Sequence, residues 1–291
     1  MKLSICTITY NQKEFISQAL NSFLTQQTNF NYEIIVADDC STDGTRDILL
    51  QYQSRYPEKM HLILQEKNVG MIKNFKTALE ACKGQYVALC EGDDYWIDNQ
   101  KLQKQVNLLN ARPDIAISFH TAQIEFSGIE PFAFPNINEH TKEISTIEDL
   151  IQGNIMHTPT CVFRNHLFTK YPKTFMQLKL GDWLLHLLNA HKGNIHFMKD
   201  TMAVYRVQSN SSWSSLSHIK QVEYFLQAIK TAKTYFSPLY DSNFNMSIKN
   251  HSRYLLKLYK RKKMYNKLIL HWPTFLVYSA YLKFKYFKKK N

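Results

Sequence analysis

The sequence predicts an α/β fold in which a central, mostly parallel sheet occupies the first two thirds of the chain and a helical, basic extension follows. Three observations predict it. In the first 90 residues four apolar, strand-length runs alternate with helical patterns across short polar connections. Each run stops at a cluster of polar residues, as strands of an open α/β sheet do where they reach a ligand-binding rim. From residue 216 onward the apolar spacing is helical throughout.

Taken in order, residues 3–9 form the first strand, and after Tyr10-Asn11 comes a helix whose core face repeats at Phe15/Ile16, Ala19/Leu20 and Phe23/Leu24. Residues 34–37 form a second strand ending in Asp38-Asp39. The stretch 40–45 is a turn and helix-capping segment before a helix around 48–52. A third strand covers 60–64, Asn68-Val69-Gly70 is a turn, a helix covers 71–81, and a fourth strand covers 85–90. Beyond the helix at 101–110 and the break at Arg112-Pro113 the periodicity is irregular. Strands are expected at 115–119 and 123–126, then a proline-containing segment at 130–140 and a strand at 155–164 carrying His157 and Thr158. A helix opens at Gly181-Asp182-Trp183, strands follow at 195–198 and 203–207, and a serine-rich loop at 208–217 bears Trp213. The division expected is a domain at 1–215, split near residue 110 into two halves, and a helical extension at 216–291.

Hydrophobic residues make up 44% and charged residues 21%, an ordinary globular composition. The net charge of +12 is not spread evenly. Of the 36 Lys and Arg, 13 follow Asp241, where there is no acidic residue, and the other 23 face 24 Asp and Glu. The five cysteines are scattered without a CxxC pair, which excludes a zinc or redox motif and reads as reduced core thiols. The N-terminus enters a strand pattern at once, with no secretory signal pattern, so a cytoplasmic chain is expected. Residues 268–282 are strongly apolar but interrupted by His271 and Pro273, and shorter than the roughly 20 residues a spanning helix needs.

Chemistry concentrates at Glu91-Gly92-Asp93-Asp94, where the fourth strand stops in three carboxylates. Adjacent like charges at the end of a buried strand raise each other's pKa unless a cation or a bound partner relieves them. Oxygen ligation of a hard ion, Mg²⁺ or Mn²⁺, is one explanation. A polar strand end leading into a helix capped by Asp94 or Asp98 is the other. No GxGxxG follows the first strand and no GxxxxGK[ST] occurs, so phosphates are expected to be held another way. On spacing, Asp182 reads as a helix N-cap. Trp213 reads either as a packing anchor or as a lid over a sugar.

Together, Ile8-Thr9-Tyr10-Asn11, the stretch Val36-Ala37-Asp38-Asp39-Cys40-Ser41-Thr42-Asp43-Gly44-Thr45, Asn68-Val69-Gly70, Glu91-Gly92-Asp93-Asp94-Tyr95-Trp96 and Gly181-Asp182-Trp183 resemble the inverting glycosyltransferases of family 2, which have the GT-A fold. The likeness covers residues 1–215. It implies metal-dependent transfer of a sugar from a nucleoside diphosphate sugar, a UDP-sugar, to a hydroxyl of a glycan or lipid-linked acceptor in cell-surface polysaccharide synthesis. By that resemblance Thr9, Tyr10, Asn11, Asp38, Asp39, Asn68 and Gly70 shape the donor pocket, and Lys73 stands where many members carry an Arg. Asp93 matches the metal position beside Asp94, and Glu91 replaces the family's usual first Asp. Asp182 matches the general base. His157, Thr158, Trp183, Arg206 and Trp213 fall in the acceptor half, His157 being equally a structural histidine.

A sugar nucleotidyltransferase shares the sheet and the metal requirement but needs a glycine-rich, basic N-terminal loop that is missing. A non-catalytic nucleotide-sugar-binding module is the third reading. No nucleic-acid module accompanies the basic extension, so no nucleic-acid partner is expected. Its cations interleave with apolar residues at 254–260 and 281–287, which suits either a helix lying on the anionic inner face of the cytoplasmic membrane or a basic helix packed on its own domain.

Overall fold

The computed structural model describes residues 1–128, 130, 142–178, 180–209, 211 and 213–288, with side chains as far as Tyr281. The proline-containing segment lies, apart from Glu130, outside the described residues. Strand β1 (Leu3–Thr9) leads through helix α1 (Ile16–Leu24) to β2 (Tyr32–Asp38), and α2 (Thr45–Arg55) leads to β3 (Met60–Leu64). Helix α3 (Met71–Ala81) then leads to β4 (Tyr86–Leu89). These four strands pair in parallel in the order β3-β2-β1-β4. All seven residues of β2 are buried, because helices cover both faces, and this is why its sequence is a continuous run and not an alternation.

After β5 (Tyr95–Trp96) and α4 (Lys101–Ala111) come β6 (Ile115–Ser127), β7 (Ile144–Ser145), α5 (Ile147–Gln152) and β8 (Val162–Arg164). Helix α6 (Gly181–Ala190) and β9 (Asn194–Gln208) follow. The sheet continues from β4 through β8, β6 and β9 to β5, with β7 also on β9. The β6–β9 pairing is parallel and the longest, whereas the antiparallel pairings of β8, β5 and β7 are short.

Three expectations change. The strands expected at 115–119 and 123–126 are one strand, β6, whose register shifts near Ile115–Ile117 and His120–Ala122 break the two-residue alternation that sequence reading relies on. Likewise 195–198 and 203–207 are both in β9, joined across the exposed Lys199 and Asp200. The strand expected at 155–164 is irregular up to a 3₁₀ turn at Thr158–Thr160, where Pro159 offers no N–H to a ladder, and only β8 pairs.

Two hydrophobic layers sandwich the sheet. One gathers Ile16, Phe23, Leu49 and Leu102 from α1, α2 and α4. The other gathers Phe75 of α3 and Trp183 of α6 with residues of the extension. Helices α7 (His218–Phe236) and α8 (Asp241–Arg261) bury Leu226, Ile229, Phe244, Ile248 and Tyr259 in that second layer, and Ser247 Oγ donates to the Ile151 carbonyl at 2.7 Å. In the stretch 254–260, Leu255, Leu256 and Tyr259 therefore face protein, so the membrane reading fails there for the reason that apolar burial is satisfied internally. Helix α9 (Tyr265–Lys288) ends the chain; beyond Tyr281, the stretch 281–287 lies outside the described side chains. No helix among the described residues is long and apolar enough to cross a membrane.

Candidate functional site

A cleft of about 280 Å³ opens where β1, β2 and β4 end and where β9 runs out. Its first wall is the loop after β1. Asn11 adopts a left-handed backbone (φ 51°), its N–H donates to Ser41 Oγ at 2.9 Å, and its Oδ1 accepts from the Thr42 N–H at 2.9 Å. Tyr10 stays half exposed. The second wall is Asp39, buried at 3%, whose two carboxylate oxygens accept from the Val69 and Gly70 N–H groups at 2.7 and 3.0 Å. Asn68 Oδ1 also accepts from Gly70 N–H at 3.1 Å, and Gly70 sits at φ 88°, where a side chain would be strained.

The third wall is the acidic cluster. Gly92 N–H donates to the Ile8 carbonyl at 3.0 Å, and a Cβ at Gly92 would fall 3.0 Å from Thr9 Cβ and 2.5 Å from Gln12 Oε1, so a side chain there would crowd the loop after β1. One carboxylate oxygen from each of Glu91, Asp93 and Asp94 lies within 4.8 Å of the others. Asp93 Oδ2 accepts from Gln208 Nε2 at 2.8 Å and Asp94 Oδ1 from the Arg206 N–H at 2.8 Å, while Asp94 Oδ2, fully buried, has no hydrogen-bond partner among the described residues. Burial pushes all three carboxyls up; Glu91 reaches about 8, its neighbours Asp93 and Asp182 adding to the effect, and Asp94 stands well above the ordinary carboxylate range, with Asp93 and Glu91 adding to the effect of burial. Clustered oxygens, mutual repulsion and one orphaned buried oxygen fit a hard divalent cation.

Asp182 does not line the cleft, yet its charge reaches Glu91. It is the second residue of α6, and Leu180 occupies the position before the helix, so the N-cap reading is corrected. Gly181, the first residue of the helix, lies close against Ile72 and Phe75 of α3, where a Cβ would come within 3.0 and 3.4 Å of their side chains. Burial raises the Asp182 carboxyl, and amides at the start of its helix oppose that rise.

The cleft thus brings together Thr9, Tyr10, Asn11, Asp39, Asn68, Gly70, the three acidic residues, Arg206 and Trp213. Other expected residues stand elsewhere. Asp38 is wholly buried, ion-paired to Arg46 Nε at 2.5 Å and bonded to Ser41, so its oxygens are consumed by the fold and not by a donor. Lys73 is exposed on α3 and does not line the cleft. Trp183 has no exposed surface, donates its indole N–H to the Leu150 carbonyl at 3.1 Å and packs on Phe225, so it is a core residue and not an acceptor contact. His157 and Thr158 lie one layer back, the His157 ring stacked on Tyr205 at 4.7 Å and burial pushing its imidazole down to about 4.

Arg206 stands not on an acceptor surface but behind the acidic cluster. Its guanidinium donates to the Asp93 carbonyl, Glu125 Oε1 and Gln18 Oε1 at 2.6, 2.7 and 2.6 Å and lies against the rings of Phe15 and Tyr95. Sequence reading missed Gln12, Asn74, Tyr205 and Gln208, all on the cleft wall. For Tyr205 and Gln208 a signal existed: they flank Arg206 at the end of a strand, the same position that marks the other walls.

Comparison with known proteins agrees with this geometry. The sequence model described as "Glycosyl transferase family 2" matches residues 4–213. An uncharacterized protein of Mycobacterium tuberculosis is 39% identical over 215 residues, 73% of this chain, and the chain spans only 61% of that relative's length. TuaG of Bacillus subtilis, a glycosyltransferase named for teichuronic acid biosynthesis, is 30% identical over 72% of this chain and 80% of its own. Among solved structures, residues 1–349 of Staphylococcus aureus TarS in complex with UDP-GlcNAc superpose with a TM-score of 0.64 at 19% identity, covering 86% of this chain and 71% of that TarS fragment. The mannosyltransferase PcManGT of Pyrobaculum calidifontis, in complex with GDP-Man and Mn²⁺, gives 0.62 at 16% identity over 100% of this chain and 88% of its own.

Proposed function

The chain belongs to glycosyltransferase family 2 and has the GT-A fold, and from that premise we propose that it is an inverting, metal-dependent transferase. Its donor is a nucleoside diphosphate sugar, a UDP-sugar, and its acceptor a hydroxyl of a glycan or lipid-linked glycan made at the cytoplasmic side of a cell surface. The single observation that carries the reading is the acidic cluster with its orphaned Asp94 oxygen, in the same cleft as the Asp39 clasp and within electrostatic reach of Asp182. TuaG's name and the UDP-GlcNAc in the TarS structure support the choice of pathway and donor.

Asp39 fixes the loop at Val69 and Gly70 so that the wall against the nucleoside is rigid before the donor arrives, which lowers the ordering cost of binding. Glu91, Asp93 and Asp94 would hold Mn²⁺ or Mg²⁺, which when bound would supply charge neutralisation for the departing diphosphate. Gln208 and Arg206 hold Asp93 and Asp94 in place through side chain and backbone. Asp182 takes the proton from the acceptor hydroxyl as its oxygen attacks the anomeric carbon opposite the leaving group, a single displacement that inverts the configuration. The half-exposed Tyr10 and the partly buried Trp213 offer ring faces on the cleft wall for the base or a sugar.

A panel of nucleotide sugars, incubated with the protein with and without Mn²⁺ or Mg²⁺, tests this directly. Metal-dependent release of nucleoside diphosphate is expected, with the anomeric configuration of the transferred sugar read by proton NMR. Pyrophosphate released from a nucleoside triphosphate would indicate a nucleotidyltransferase, and tight donor binding without turnover a binding module.

A further inference from the structure

Helix α9 has two faces of opposite character. Its inner face is fastened: Lys267 Nζ donates to Glu223 Oε1 at 2.7 Å, the same carboxylate accepts from Tyr259 OH at 2.7 Å, and the His271 ring lies 5.4 Å from that of Tyr259. Lys233 of α7 reaches over the Tyr278 ring at 5.4 Å, and Leu268 and Tyr278 pack on the second hydrophobic layer. With its cationic partners Glu223 is held down at about 2, so the clasp is charged at any physiological pH.

The outer face is apolar and uncovered. Tyr265, Ile269, Trp272 and Leu276 follow one another at intervals of four, three and four, and Leu270 and Val277 lie alongside; their exposure runs from 47% at Trp272 to 74% at Leu270. The other exposed positions along this stretch are an asparagine, a proline, an alanine and a tyrosine, so roughly 25 Å of helix surface carries no charge. A contiguous exposed apolar stripe of this kind marks an interaction surface. Immediately before it, Arg261, Lys262 and Lys263 are all exposed, and no acidic residue follows Asp241 anywhere in the sequence.

We infer that this outer face of α9 is a membrane-docking surface, lying in the plane of a bilayer whose anionic headgroups meet the cations at its end. Charge decides between occupants. A second copy of the chain would bring its own Arg261–Lys263 cluster and its own acid-free end to the interface, like against like, whereas an anionic leaflet supplies the opposite charge to every one of these residues. Trp272 and the tyrosines suit the boundary between headgroup and acyl chain, and a helix that is too interrupted to span lies flat there. The clasp on the inner face keeps the apolar stripe outward, so docking requires no rearrangement of the fold.

The inference stands on α9 and the basic residues that precede it, and the experiment reads it separately from transfer. The full chain is sedimented with vesicles of phosphatidylcholine and with vesicles of phosphatidylcholine and phosphatidylglycerol at roughly three to one. Binding is expected to the anionic vesicles, weakening with salt, and Trp272 emission is expected to shift to the blue, a shift that Trp272→Phe removes. The double variant Leu270→Asn/Val277→Asn changes only exposed side chains; its partition onto anionic vesicles is expected to fall about tenfold or more, with melting temperature and metal-dependent donor hydrolysis unchanged. Equal vesicle binding by the variant, or no binding by the full chain, overturns the inference. So does light scattering that finds a dimer which the double variant splits into monomers.

Discussion

Arg206 donates from Nη1 to the main-chain carbonyl of Asp93 at 2.6 Å, while its own N–H holds the side chain of Asp94. One residue of β9 therefore sets both the backbone and the side chain of the acidic cluster. A lysine keeps the charge but loses the fork that reaches Asp93, Glu125 and Gln18 together. Arg206→Lys is expected to weaken Mn²⁺ binding by about 1 to 3 kcal/mol, the range for buried hydrogen bonds left unmade. Calorimetric titration of the metal checks this, and an unchanged metal affinity with only a lowered melting temperature would show that Arg206 serves the fold alone.

Asp93→Asn removes one charge from the acidic cluster proposed to hold the metal, while its amide oxygen can still accept from Gln208. Metal-dependent donor turnover is expected to fall by about 10² or more, since charge neutralisation at the leaving group is lost. Metal titration and initial rates at saturating donor measure it; turnover close to that of the unaltered protein removes the metal role from Asp93.

Asp182→Asn is expected to keep donor affinity and melting temperature while transfer falls by about 10² or more. The pH profile adds a second reading. Burial raises this carboxyl, so it remains protonated, and unable to accept a proton, to a higher pH than an exposed aspartate. At saturating metal the rate of the unaltered enzyme is therefore lost as pH falls through that raised value, and the residual rate of the asparagine variant has no such limb. An acid limb shared by both proteins would place the base elsewhere.

Removing the clasp by Asp39→Ala leaves the Val69 N–H without its acceptor and the Gly70 N–H with Asn68 Oδ1 alone. Donor affinity is expected to weaken by about 1 to 3 kcal/mol, with the maximal rate at saturating donor much less affected. Binding of nucleoside diphosphate by calorimetry reads it.

Lys101 is buried beneath the β5 turn, with Nζ on Gln105 Oε1 at 2.8 Å and 4.2 Å from the Trp96 ring. Burial pushes its ammonium down to about 7, against an ordinary value of about 10.4. Between those two values the unfolded chain binds more protons at this position, so stability rises with pH, by at most about 1.4 kcal/mol per pH unit from this residue. Below the folded value both states are protonated and the dependence vanishes. Lys101→Met should flatten the rise, as urea unfolding from about pH 6 to about pH 10 will reveal; an identical slope in the variant would mean the lysine is hydrated.

The half of the site made by β1, β2 and β4 was legible because strand ends in an open sheet mark a rim, and Thr9, Asn11, Asp39 and Glu91–Asp94 stand at strand ends in sequence as well as in space. What β9 contributes was not. Register shifts in β6 and the charged pair Lys199-Asp200 in β9 disguise two long strands as four short ones, so the far end of β9 could not be placed beside the acidic cluster. Trp183 was misread although its helix gave notice: a segment apolar on every side belongs in a core. In the extension, Val222, Leu226 and Ile229 carry the four-and-three spacing of a buried helix face, and α7 buries them despite the basic surroundings.

The bond from the Arg206 N–H to Asp94 spans 112 residues of chain. Contacts of such separation form only after the intervening loop has been closed, and its entropy must be met before the contact returns anything. On the ribosome, Glu91, Asp93 and Asp94 emerge long before the strand that holds them. Until β9 arrives the nascent chain carries three poorly compensated carboxylates, and a polypeptide released before Asn194 would have neither an ordered acidic cluster nor the strand that links β6 to β5. Assembly of the site is thereby tied to near-complete synthesis of the sheet.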